Sequence, residues 1–519
     1  MKFKSLQTLT LGGALLLWCS PSLPAAQGDS NVIELTLSQA IEKALQNNLD
    51  IVIARLDTNI QTENIAAARG FYRPQLRFDY GVFHSRAPSN SQLVGALENI
   101  QDNSNYNLFW DQQLPTGGNY TVGFENVRAA TNSNFFTYNP RFNSAFALSA
   151  VQPLLKNLGL TPQKQQLVIA QNGERVSRHQ FQAQVHNLVR DVANAYVDLV
   201  FTIRDLEVAQ RSLQLAKDLM NNNRIQVEVG TMAPIDVLQA EAEVAQREES
   251  VIVAEAAIRR AEDVLKRMIN DPGSPDFWEG TIRPTTQPVV EDRPVDVEAA
   301  VKTALSRRPE LAEARVVLDT ADFNVRYTRN QMKPQVDLFG GLTYTGLGGN
   351  QIVREGLAGN ALNTIPGGYS DAVDQLLGWD YYNWQVALNF SYPLGNSAAD
   401  AANARAQVEY RQRRASITGL ELQIAQEVRE TARLVETGRK RIDATRVGRE
   451  LAAKRLEAEQ KKFAVGMSTN FFVVQAQRDL SVAEANGLRA VIDYNKALVN
   501  FERARGTLLE RAKVEVKDE

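Results

Sequence analysis

Two periodicities divide the chain, and each appears twice. From Pro162 to Val229 apolar residues return every three or four positions, at Val185, Leu188, Val192, Ala195, Leu199, Ile203 and onward to Met220, the stripe of an amphipathic coiled-coil helix. Ala398 to Ala464 carries a comparable stripe through Ile417, Leu420, Ile424, Val428, Val435, Ile442 and Leu451, with no proline inside it. At 1.5 Å of rise per residue, about 67 residues predict a rod of roughly 100 Å, longer than a compact domain holds. The stripe resumes after Val229-Gly230 and Val465-Gly466, so the pattern predicts helical hairpins over 162–270 and 398–510 that reverse at those glycines. Shorter alanine-rich helices are predicted over about 37–70 and 296–331, each stopping just before Pro74 or Pro334.

Beyond those prolines the period drops to two. Leu76, Phe78, Tyr80 and Val82 alternate with Arg77, Asp79 and Gly81; Trp384, Val386, Leu388, Phe390 and Tyr392 alternate with Gln385, Ala387, Asn389 and Ser391. A nine-residue alternating run fits the roughly 9–11 residues of a tilted membrane strand. Strand regions are thus predicted over 75–152 and 335–393, separated by polar stretches at 86–105, 129–141 and 345–380 that read as external barrel loops, with Trp110, Phe135, Phe136, Trp379, Tyr381 and Trp384 as interfacial aromatics. One more pair of possible strands, about 105–114 and 118–128, flanks Leu114-Pro115-Thr116-Gly117-Gly118, and the pattern leaves open whether that hairpin joins the barrel.

The order helix, strands, long hairpin repeats. At an offset of 260, Ala40, Ala44 and Leu45 fall on Ala300, Ala304 and Leu305, and Arg73-Pro74-Gln75-Leu76 on Lys333-Pro334-Gln335-Val336. At an offset of 236, Val229-Gly230 falls on Val465-Gly466 and Val237, Gln239 and Ala240 on Val473, Gln475 and Ala476. The chain divides into a leader at 1–26, a first repeat at 27–290, a second at 291–512 and a charged tail at 513–519.

The leader follows from Lys2 and Lys4, an apolar run from Leu9 to Trp18 and a cleavage region ending at Ala25-Ala26, the plan of a secretory signal peptide. Cleavage removes Cys19, the one cysteine, so no disulfide or thiol chemistry remains; Trp18 before it disfavours a lipoprotein signal. Lys and Arg fall from 57 to 55 against 60 Asp and Glu, a net of −5, which argues against a nucleic-acid partner. After residue 26 no apolar run reaches a helical membrane span, so any crossing uses strands, and two strand pairs per chain cannot close a barrel alone. The three histidines, His84, His179 and His186, sit in no His-Glu-x-x-His pattern, and Gly346-Leu347-Gly348-Gly349 precedes no Lys-Ser/Thr helix. No enzyme, cofactor or metal is predicted.

These features together resemble the TolC-type outer membrane efflux family over essentially the whole mature chain. They are the duplication, Ala304-Leu305-Ser306-Arg307-Arg308-Pro309-Glu310-Leu311, the prolines after each opening helix and each second strand, and the Val-Gly turns leading into Ile235-Asp236-Val237-Leu238-Gln239-Ala240 and Phe471-Phe472-Val473-Val474-Gln475-Ala476. The resemblance implies an α+β membrane protein: a homotrimer sharing a twelve-stranded outer membrane β-barrel, continuous with a periplasmic α-helical coiled-coil barrel. It also implies docking to a periplasmic adaptor and an inner membrane transporter, as the passive exit duct of a tripartite efflux or type I secretion system. The alternative is a structural coiled-coil protein bridging envelope layers without conducting, which has no need of membrane-length strands.

Where some members of that family carry an acidic ring past the second turn, this chain has Phe472 and Gln475, with Asp479 one turn on; spacings of three and four put them on one helix face. Either Phe472 constricts the entrance with Gln475 and Asp479 lining the pore behind it, or Phe472 packs between hairpins and Asp479 is solvated. The turns Val229, Gly230, Thr231 and Val465, Gly466, Met467 are the adaptor-docking candidates that the resemblance implies.

Overall fold

The computed structural model describes residues 32–89, 94–270, 277–287, 289–290, 294–356 and 359–514. The expected leader, Cys19 and the last five residues of the expected tail lie outside the described residues. The first half contains β1 (Val32–Leu35), α1 (Leu37–Asn47), α2 (Leu49–Gly70), β2 (Gln75–Pro88), β3 (Glu98–Gln113), β4 (Asn119–Thr131), β5 (Tyr138–Pro153), α3 (Pro162–Glu228) and α4 (Pro234–Ile269). The second contains β6 (Thr281–Pro284), α5 (Val297–Arg307), α6 (Pro309–Gln331), β7 (Gln335–Arg354), β8 (Ala361–Ile365), α7 (Tyr369–Leu377), β9 (Tyr382–Ser391), α8 (Ser397–Ala464), α9 (Asn470–Arg505) and α10 (Leu508–Arg511).

Each alanine-rich opening helix is broken once, where the periodicity alone suggests continuity. The Asn48 side chain accepts from the backbone N–H groups of Asp50 and Ile51, which starts α2 and ends α1. Arg308 precedes Pro309, whose ring has no N–H to continue α5, so α6 begins there. The breaks let α1 and α5 pack across the rods while α2 and α6 run along them.

All the strands except β1 and β6 form one antiparallel sheet in the order β2-β3-β4-β5-β7, with β8 and β9 both pairing with β7 at different heights. The possible hairpin near Leu114–Gly118 is therefore fully part of the sheet. Its strands are long because the polar stretches on either side pair as well: Asn99, Gln101 and Asn103 lie opposite Ala87, Ser85 and Phe83. Much of 98–105 and 345–354, expected as loop, is strand for the same reason. The register sets Leu76, Trp110, Val122, Leu148, Leu342 and Trp384 in one row, so a single face carries the apolar side chains across all six long strands. On β9 that face exposes Trp384, Val386, Leu388 and Phe390 at 63–70 % of their full area. From Tyr382 to Ser391 is about 30 Å of strand, and a barrel tilt of about 40° turns that into roughly 23 Å of height, close to the apolar band of an outer membrane barrel.

The rods form two antiparallel hairpins, α3–α4 and α8–α9, joined along α3 and α9. The core lies where α1 and α5 cross them. Val189, Val192, Tyr196 and Leu199 of α3 bury Ala40, Ala44 and Ile51, while Val428 and Val435 of α8 with Tyr494 and Phe501 of α9 bury Ala300 and Ala304. Buried Tyr196 donates its hydroxyl to the Leu35 carbonyl and accepts from the Thr286 N–H, both at 2.9 Å, which fixes the β1–β6 ribbon to the rod. Arg308 and Arg503 bind the carboxylates of Glu310 and Glu427 between α6, α8 and α9, at 2.6–3.0 Å. For Glu310, burial pushes the carboxyl up, but the bonds and charges of the two arginines outweigh it and hold it below its usual range.

Candidate functional site

The far ends of the rods carry the candidate residues. Both turns use one design at equivalent positions. Gly230 and Gly466 adopt φ of +77° and +70° and donate to the Val227 and Phe463 carbonyls, both at 3.0 Å. The following residues, Thr231 and Met467, reach back to the Gln226 and Lys462 carbonyls at 2.9 and 2.8 Å. Those bonds satisfy carbonyls that a helix end leaves open, and the left-handed backbone is what permits them. A Cβ on either glycine would meet nothing within 4 Å, so the requirement is for backbone conformation rather than space. Val229, Val465 and Met467 project at 67, 70 and 78 % exposure and make the tip apolar.

Past the second turn, the Phe472 ring is half exposed and meets Phe471 edge-on at 5.6 Å between centroids. With Met467, Ser468 and Thr469 it borders a shallow cavity of about 440 Å³. Gln475 and Asp479 do come together: the Gln475 amide donates to the Asp479 carboxylate at 2.9 Å. Asp479 is not a free charge, however, because Arg455 on α8 binds its second oxygen at 2.8 Å.

Behind the tips lie polar contacts that sequence reasoning did not single out. Asn223, fully buried, donates to the Asn470 side chain at 2.9 Å and so ties the first hairpin to the second. Glu243 of α4, 3 % exposed, takes bonds from Arg247 on its own helix at 2.7–2.8 Å and from Arg478 on α9. Burial raises the Glu243 carboxyl, yet its bonds to Arg478 and Arg247 outweigh that and leave it below its usual range. The available signal was a carboxylate at Glu243 falling one turn after Ala240 on the buried side of α4, which needs a cation on a facing helix.

Among the described residues no helix is long and apolar enough to cross a membrane, and no group of His, Cys, Asp and Glu side chains could hold a metal ion. Residues 300–507 match the family described as outer membrane efflux protein. The chain is 22 % identical over 471 residues to the outer membrane efflux protein BepC of Brucella suis, covering 90 % of this chain and 84 % of that one. It is 22 % identical over 350 residues to the outer membrane protein TolC of Vibrio cholerae, covering 67 % and 74 %. In three dimensions it is similar to the CmeC outer membrane channel of Campylobacter jejuni, with a TM-score of 0.63 at 14 % identity over 91 % of this chain and 86 % of that one. The rods, the sheet and these matches agree: over residues 300–507 the chain matches the outer membrane efflux protein family, its fold is that of the TolC-type channels, and its similarity is to proteins of the outer membrane.

Proposed function

We propose that the chain is one subunit of a homotrimeric channel-tunnel, the passive exit duct of a tripartite efflux or type I secretion system. The observation that carries this reading is that both halves of the molecule stop at unpartnered edges on the same two sides. Among the described residues β2 and β9 each have one neighbour in the sheet, and they run antiparallel to each other. In the rods, the outer helices α4 and α8 expose Leu238, Ile252 and Val253, and Leu422, Leu434 and Leu451. A second copy set edge to edge satisfies backbone groups in lipid and covers both stripes at once, and a ring of copies leaves no edge. A spacer between envelope layers would gain nothing from the exposed apolar face of the sheet.

Energy for transport comes from the partners in this reading: an adaptor seated on the Val229–Thr231 and Val465–Met467 tips and an inner membrane transporter behind it. Phe472 narrows the entrance, and Gln475 and Asp479 line the wall just inside. Lipid-embedded, heat-dissociable trimers that conduct ions across planar bilayers, and that cross-link to an adaptor in cells, are the expected result. A monomer in membranes, or trimers without conductance, refutes the duct.

A further inference from the structure

We infer that the shared barrel of this protein has eighteen wall strands rather than twelve, because the β3–β4 hairpin is inserted in the wall between the strands that join the helices. The inference rests on the shared-barrel reading above and adds its size. Of the strands in the sheet, β2, β5, β7 and β9 connect directly to helices α2, α3, α6 and α8, four per chain and twelve in three copies. Between β2 and β5 stand β3 and β4, paired along nearly their whole length on both sides, so that β2 and β5 never touch. The short β8 meets only Gln351–Arg354 at the outer end of β7 and adds no wall strand. Six wall strands per chain keep the parity that lets β9 of one copy lie antiparallel to β2 of the next, and three times six is eighteen.

Both faces and the inner end bind the hairpin into the wall. On the polar face, Asp111 of β3 bridges Arg77 of β2 at 3.7 Å and Thr121 of β4 at 2.7 Å. On the apolar face, beyond the band, α7 lies across the strands: Tyr369 meets the rings of Tyr106 (β3) and Phe142 (β5) and donates to Asn126 (β4) at 3.0 Å. That approach needs Gly346 on β7, where a Cβ would lie 1.9 Å from the Ala372 carbonyl oxygen. At the inner end, the Gly159 N–H donates to the Thr116 carbonyl at 2.8 Å, holding the turn level with the entry to α3. The hairpin also carries the two unlike faces of a membrane wall: Leu108, Trp110, Val122 and Phe124 on the apolar one, and Asn107, Asp111, Thr121 and Glu125 on the other, where Phe109 is the one aromatic residue and is covered by the Arg77 guanidinium at 4.2 Å.

Barrel diameter grows about linearly with strand number, so the wall encloses a lumen roughly 1.5-fold wider than a twelve-stranded one, in the range where barrels hold an aqueous channel. Electron microscopy of the full trimer in lipid nanodiscs tests the count, and single-cysteine labelling tests the orientation, since the mature chain has no thiol of its own. Eighteen strands are expected, with Thr121→Cys reacting with a water-soluble maleimide about tenfold or more faster than Val122→Cys, which faces lipid. Trimers with twelve wall strands, or equal labelling at the two positions, overturn this inference and leave the exit duct standing. Absence of any lipid-embedded oligomer overturns both.

Discussion

The Glu243 carboxylate gives a sharp test of how the two hairpins are held together near the tips. Glu243→Gln keeps the shape and removes the charge that Arg247 and Arg478 share. Breaking a deeply buried ion pair costs about 3–5 kcal/mol when the orphaned partner stays buried. Here the Arg478 side chain is 48 % exposed and that of Arg247 16 %, so both recover part of their hydration, and the expected cost is smaller, about 2 kcal/mol. Arg478→Met leaves Glu243 with its bonds to Arg247 and costs less, about 1 kcal/mol. Hydrogen exchange in trimers, read on peptides covering 235–250 and 470–485, reports local opening. At about 1.4 kcal/mol per tenfold, Glu243→Gln lowers protection roughly 30-fold and Arg478→Met roughly 5-fold. Because the folded carboxyl lies below its unfolded value, its contribution is complete above the usual glutamate range and is lost as pH falls through the folded value. The gap between the parent and Glu243→Gln, corrected for intrinsic exchange, therefore narrows in acid. Equal protection at neutral pH, or a larger effect from Arg478→Met, would refute the reasoning.

Gly466→Ala loses only the left-handed backbone, about 1 kcal/mol by protection of the α8–α9 turn, and Gly466→Asn loses less; a larger loss would mean that the space beside Gly466 matters after all. Thr231→Glu and Met467→Asp place charge on the exposed tips and should abolish export and adaptor cross-linking while heat-dissociable trimers remain; undiminished export would move docking elsewhere. Phe472→Ser should raise single-channel conductance and antibiotic leakage, and unchanged values would assign the ring to packing. If the entrance is to prefer cations, Arg455→Ala should strengthen that preference by freeing Asp479, measured as a shift in reversal potential under a salt gradient.

The elements of the α+β fold were legible because each is written in a local period. A stripe every three to four residues makes a helix whatever surrounds it, strict alternation next to proline makes a strand with two unlike faces, and the Val-Gly pairs mark the reversals that Gly230 and Gly466 make with φ near +70°. The candidate site was less legible. Spacing put Gln475 and Asp479 on one face, which the structure shows, but could not reveal that Arg455, 24 residues earlier on the antiparallel helix, takes the second carboxylate oxygen. Glu243 and Arg478 stand 235 residues apart and meet only because α4 and α9 are brought together by their own partners.

What the sequence determined by itself is what short-range sterics and hydrophobicity impose: helix against strand, which side of each is apolar, where each must turn, and that the plan occurs twice. The break at Asn48 belongs to a different kind of decision, since its capping bond competes with a continuous helix and wins where α1 also gains a core around Val189 and Tyr196. So does the place of β3 and β4. Their alternation of polar and apolar residues is equally compatible with a loose external hairpin and with strands paired inside the sheet, because backbone hydrogen bonding in a sheet depends on which neighbours are present to pair. Only the tertiary structure, which supplies β2 on one side, β5 on the other and α7 across them, makes that choice.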